Sequence, residues 1–158
     1  MKLVDAQRLA INLMEEHGLI GKGWFFQFDN AISRFGCCKY RSQSITLSRT
    51  LVELNEIDEV KDTILHEIAH ALVGPGHHHN EVWRAKALEI GCNGKRCYSR
   101  DEVVMPKARY EAVCGGCGVV HQKSRMVVRV GRKSACNCQS HKPWSDKILL
   151  TYIDTKLK

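Results

Sequence analysis

The stretch ILHEIAHALVGPGHHHNEVW, Ile64 to Trp83, gathers five histidines and two glutamates into twenty residues. It contains His66-Glu67-Ile68-Ala69-His70, the pattern H-E-x-x-H. On a helix turning about 100° per residue, His66 and His70 lie roughly 40° apart, so both imidazoles can reach one ion. Glu67 projects between them, placed to take a proton from a water that the metal polarises. Histidines serving only as core residues would fall on the apolar stripe. Here Val60, Ile64, Leu65, Ile68 and Leu72 share one arc of the wheel and the two histidines occupy another.

A catalytic zinc takes three protein ligands and keeps one position open. Gly74-Pro75-Gly76 ends the helical pattern and lets the chain turn back. His77, His78 and His79 are all within reach just beyond it, and Glu89 on the following helix is a rival carboxylate ligand. Spacing alone does not choose among them.

A second constellation lies near the C-terminus. Cys114-Gly-Gly-Cys117-Gly forms a knuckle in which two thiolates reach one ion and the glycines allow the tight turn. Cys136 and Cys138 follow in SACNCQSH, and four thiolates make a closed structural zinc site. The C-x-C spacing of the second pair leaves His141 as a substitute for one cysteine. Cys92 and Cys97 read as free thiols and Cys37-Cys38 as a structural pair. Two zinc ions are therefore expected, one catalytic and one structural.

These groups need elements to position them. Val4 to His17 reads as a helix stopped by Gly18, and Gly21 to Asp29 as a strand with Trp24, Phe26 and Phe28 on one side. Ser44 to Ser48 is a second short strand. Asn55 offers a cap for a long helix through Val73, and Asn80 a cap for a helix from Glu81 to Ile90. From Pro106 the chain becomes glycine- and cysteine-punctuated, with β-rich runs at Met126 to Val128, Val130 and Ile148 to Leu150. The division expected is residues 1–105 and 106–158.

The 158 residues carry a formal net charge of +7, distributed unevenly. Met1 to Tyr110 is net +1, whereas Glu111 to Lys158 is net +6. Lys123, Arg125, Arg129, Arg132 and Lys133 cluster between the two cysteine pairs and could neutralise DNA phosphates without reading sequence. A zinc held by four thiolates subtracts two charges and leaves the segment basic. Composition is that of a folded chain, with 44% hydrophobic residues. No signal peptide and no membrane-length apolar run is legible, so a cytoplasmic location with reduced cysteines is expected.

The series FDNAISRFGCC, ITLSRTL, TILHEIAHALVG and HHHNEVWRAKALEIGC resembles the SprT-like metallopeptidase family. That family's bacterial and phage members are similar to the catalytic domain of the DNA–protein crosslink protease Spartan. The resemblance implies an α+β fold: a small zincin-like metallopeptidase domain, helices packed on a short antiparallel sheet, followed by a β-rich zinc ribbon. It also implies His79 as third ligand, with Trp83 as the aromatic that follows and Asn80 where the family carries glycine. The function it implies is endopeptidase action on DNA-associated or DNA-crosslinked proteins. Two other classes fit the residues: a DNA-binding adaptor with a silent metal centre, and a deformylase-like hydrolase of small amides that uses a cysteine as third ligand.

Overall fold

The computed structural model describes residues 1–96, 102–123, 134–140, 142–143 and 146–155. The chain divides into two compact units, Met1–Pro106 and Lys107–Lys158. Both helices and small sheets are present, so the fold is mixed α+β.

The first unit opens with α1, Leu3–Glu16, which turns Ala6, Ala10 and Met14 into the core and stops at Gly18, whose φ is +69°. A 3-10 turn at Ile20–Lys22 then precedes β1, Phe25–Asp29, so the strand is shorter than the aromatic alternation suggests. Next come β2, Gly36–Lys39, and β3, Ser44–Ser48. The strand order is β1-β3-β2. The chain returns from β2 into the gap beside β1, which makes β3 antiparallel to β2 and parallel to β1. The sheet is thus mixed, not antiparallel as expected. Nothing in the short strand patterns announces that insertion.

All five residues of β3 are buried. Ile45 and Leu47 enter the hydrophobic core, and the three polar residues are satisfied locally, as buried polar groups must be. The Thr46 hydroxyl donates to Asp29 Oδ2 at 2.9 Å, and Ser44 and Ser42 pair through their hydroxyls at 2.8 Å. Ser48 donates to the Ala31 carbonyl and caps the next helix by accepting from the Leu51 N–H.

That helix, α2, Arg49–Leu54, is one the sequence pattern does not announce; the long helix predicted after Asn55 is its successor α3, Ile57–Val73. Asn55 consequently does not cap α3. Its backbone is extended, and its buried side chain donates to the Leu51 and Val104 carbonyls and accepts from the Val104 N–H. Glu56 holds the N-cap position without a side-chain cap. Val60, Ile64 and Ile68 of α3 are fully buried. Each such burial contributes roughly 1.5–3 kcal/mol, which ties this helix to α1 and the sheet independently of any ligand. The fourth helix, α4, Glu81–Glu89, buries Trp83 and Ala87 against Leu65, Ala69 and Cys92.

The second unit is built differently. Its sheet contains β4, Tyr110–Val113, β5, Val120–Lys123, and β6, Ile153–Asp154, in the order β5-β4-β6 with antiparallel pairs. Ile148 to Leu150 is not a strand: Leu149 makes one isolated bridge to Ala135. The runs at Met126 to Val128 and Val130 lie outside the described residues. No helix among the described residues is long and apolar enough to cross a membrane.

Candidate metal centres

The α3 helix carries His66, Glu67 and His70 because its apolar arc is satisfied elsewhere, on the side of Val60, Ile64 and Ile68. Gly74, with φ +82°, ends the helix, and the Tyr40 hydroxyl lies 3.1 Å from both the His70 and Gly74 carbonyls, pinning the last turn. After Gly76, also at positive φ, the chain turns back and delivers His79. Its Nε2 lies 3.0 Å from His66 Nε2 and 3.1 Å from His70 Nε2. Those three nitrogens form a group within 4.8 Å of one another, suited to one metal ion.

The other third-ligand candidates stand apart. The His77 ring faces Asn80 at 3.3 Å, and the exposed Glu89 carboxylate pairs with Lys86. His78 lines the neighbouring cavity but is not in the cluster, and neither Cys37 nor Cys38 joins it. Asn80 has a role of its own: its side chain caps α4 by accepting from the Trp83 N–H at 3.2 Å. The cap fixes Trp83, whose ring packs against His66, His70 and His79 with centroids 4.6, 5.2 and 4.6 Å away. The Trp83 indole N–H is buried without a partner, so its contribution there is the ring.

Electrostatics favour metal-ready imidazoles. Burial, reinforced by His70 and His79, pushes His66 down to about 3. Burial, then His79 and His78, pushes His70 to about 4, and His79 is also lowered by burial and by Arg96. At neutral pH all three are in the uncharged form that ligates metal. Three imidazoles suit zinc in an open, catalytic coordination.

Glu67 is 7% exposed. Burial raises its carboxyl to about 7, opposed by a hydrogen bond from the Cys38 backbone N–H and by the Arg34 charge. Room for the side chain is made by Gly36 on β2, where an added Cβ would fall 2.8 Å from Glu67 Cγ and Oε1 and 2.9 Å from Thr63 Cγ2. A cavity of about 1200 Å³ runs along this face, lined among others by Gly36, Cys37, His66, Glu67, His70 and His79. Gly36, Tyr40 and the β2 backbone carry no signal in the sequence, because their roles depend on contacts with the distant helix α3.

In the second unit Cys114, Cys117, Cys136 and Cys138 bring their sulfurs within 4.8 Å of one another. Cys114 and Cys138 lie 3.6 Å apart, and Cys117 and Cys136 3.7 Å apart. The knuckle is closed by Gly118 N–H to the Cys114 carbonyl at 2.8 Å. Backbone N–H groups of Gly116 and Cys117 lower the Cys114 thiol to about 6, favouring thiolate. Such a set fits zinc in a closed, structural site. Gln139, which the motif does not reveal, is buried and spans the site: its amide reaches Cys114 Sγ at 3.8 Å and pairs in both directions with Ile148.

Lys123 is placed over the Tyr152 ring at 4.0 Å. Arg125, Arg129, Arg132, Lys133, Cys97 and His141 lie outside the described residues. None of the seven described cysteines is in a disulfide, and Cys92 is buried.

The SprT-like family model matches residues 17–102, more than half of the chain, and the chain belongs to that family. Membership marks the first unit as metallopeptidase-like. No curated protein matches the chain.

Proposed function

We propose that this protein is a zinc-dependent endopeptidase acting on proteins bound or crosslinked to DNA. The observation that carries the reading is the meeting of the His66, His70 and His79 Nε2 atoms in the wall of the cavity that also holds the Glu67 carboxyl. A volume of about 1200 Å³ is ample for a peptide segment and larger than a small amide needs.

His66, His70 and His79 would hold the ion. When bound, zinc supplies a Lewis acid that polarises a carbonyl and acidifies water. Glu67 takes the proton of the attacking water and passes it to the leaving amine, with the Cys38 N–H orienting its carboxylate. Zinc held by Cys114, Cys117, Cys136 and Cys138 would keep the ribbon folded. The net charge of +6 over Glu111 to Lys158 supports contact with DNA phosphates through Lys123, Arg125, Arg129, Arg132 and Lys133.

The test is cleavage of a DNA-binding protein by wild type and Glu67→Gln, each with and without single- and double-stranded DNA. DNA-stimulated cleavage is expected, falling by about 10²–10⁴ in the variant while zinc content stays the same. Cys114→Ser should lose DNA binding while the zinc at His66 remains. A wild type that binds DNA and cuts nothing would instead make this an adaptor.

A further inference from the structure

Arg34 stands where the chain enters β2, two residues before the Gly36 that Glu67 overlies, and it lines the same cavity as His66, Glu67 and His79. Its Nη2 is bound to Asp29 Oδ2 at 2.6 Å. Asp29 is itself fixed, accepting from the Ala31 N–H at 2.9 Å and from the Thr46 hydroxyl at 2.9 Å. Those bonds and the Arg34 charge hold its carboxyl below the usual range even though burial opposes them. The guanidinium is therefore tethered at one end by a half-buried, charged anchor.

Its other end is not used. Arg34 Nη1 is closed off from water and has no hydrogen-bond partner. A guanidinium with five donors that served only to pin the loop before β2 would leave its remaining nitrogen in solvent, because an unsatisfied buried donor is costly. The side chain as a whole is 43% exposed and contributes to the cavity lining, so the guanidinium sits at the edge of the space a bound peptide would occupy. A planar fork of this kind pairs with acceptor oxygens, whether a carboxylate or a peptide carbonyl.

We propose that Arg34 is a substrate-binding residue whose guanidinium donates to an acceptor oxygen of the peptide that lies across the cavity, Nη1 gaining there the partner it lacks in the unliganded protein. This rests on the peptidase reading. It adds a contact that neither the metal ligands nor Glu67 supplies. The oxygen comes either from an acidic side chain or from the peptide backbone, and the two sources are separable.

The experiment measures binding of two fluorescently labelled peptide pools, identical except that Glu in one is Gln in the other, to zinc-loaded Glu67→Gln protein. Arg34 is left intact or changed to Gln or Lys. Arg34→Gln is expected to weaken binding about tenfold or more, with zinc content and melting temperature unchanged. Loss confined to the Glu pool identifies a carboxylate, and equal loss in both identifies the backbone. Arg34→Lys, which keeps the charge on Asp29 but not the fork, should fall between. In the Glu67-intact enzyme the same change should raise KM.

Binding that matches the parent in both Arg34 variants overturns the proposal. So does binding that falls only in step with zinc content or melting temperature. If the parent captures peptides in an Arg34-dependent way while Glu67-intact protein cuts none, the peptidase reading fails and the Arg34 contact stands. A parent that binds neither pool removes both.

Discussion

The two candidate metal centres rest on opposite kinds of support. His66, His70 and His79 sit on a helix whose other face buries Val60, Ile64 and Ile68 completely, in a unit with two apolar clusters. In the second unit the buried apolar residues among those described are Ala112 and two of the candidate ligands themselves, Cys114 and Cys136. Val113, Val119, Val120, Ile148, Leu149 and Ile153 are all exposed there. Where a core exists, a metal would be added to a scaffold held by its own apolar contacts; where a core is missing, a metal would have to take its place.

That contrast is open to attack at several points, the first being chelation. Stripping both ions should abolish hydrogen-exchange protection in β4 and β5 while leaving α1 and α3 protected, read peptide by peptide by mass spectrometry. Loss of protection in α3 together with β4 would break the comparison. Less drastic is Gln139→Ala, which removes the amide bracing Cys114 and Ile148 and should weaken the ribbon's zinc affinity about 10–100-fold. Competition with a chromogenic chelator measures it, and the His66 site should not change.

Gly36→Ala tests the tightness of the other scaffold. The new methyl meets Glu67 and Thr63 below 3 Å, so a loss of about 1–3 kcal/mol is expected in denaturant unfolding, with activity falling further than stability alone explains. An alanine accepted at no cost would mean that β2 and α3 are looser than described. The smallest effect is that of Asn80→Ala, about 1 kcal/mol for a lost N-cap. Asn80→Gly should recover most of it.

Much of the first centre was legible beforehand because its information is local. H-E-x-x-H on a helical period places two candidate ligands and an acid without any knowledge of tertiary structure. The glycines after Val73 announce a turn that leaves His77, His78 and His79 all within reach, His79 being singled out by the family resemblance and not by spacing. What stayed hidden is non-local. The segment Gly36-Cys37-Cys38-Lys39 has neither β-branched residues nor alternation, so its place as the strand under Glu67 is set by pairing with β3 and not by propensity. Asn55 looked like a cap because it precedes a helix, but tertiary partners at Val104 claim its side chain. Arg34 and Gln139 are ordinary in sequence and become informative only through the groups beside them. In the ribbon the cysteine spacing was readable, whereas Ile148 to Leu150 suggested a strand and forms a single bridge instead.

Trp83 has a further consequence for anyone handling the protein. Its ring touches all three imidazoles and is 1% exposed, so any change in their electronic state acts on the indole by direct contact. The protein thus carries a built-in fluorophore at the His66 centre, and a titration of the stripped protein with zinc should register as a shift in tryptophan emission that Trp83→Phe abolishes. Occupancy of the first site can then be followed optically, without a label and apart from the thiolate chemistry of the second.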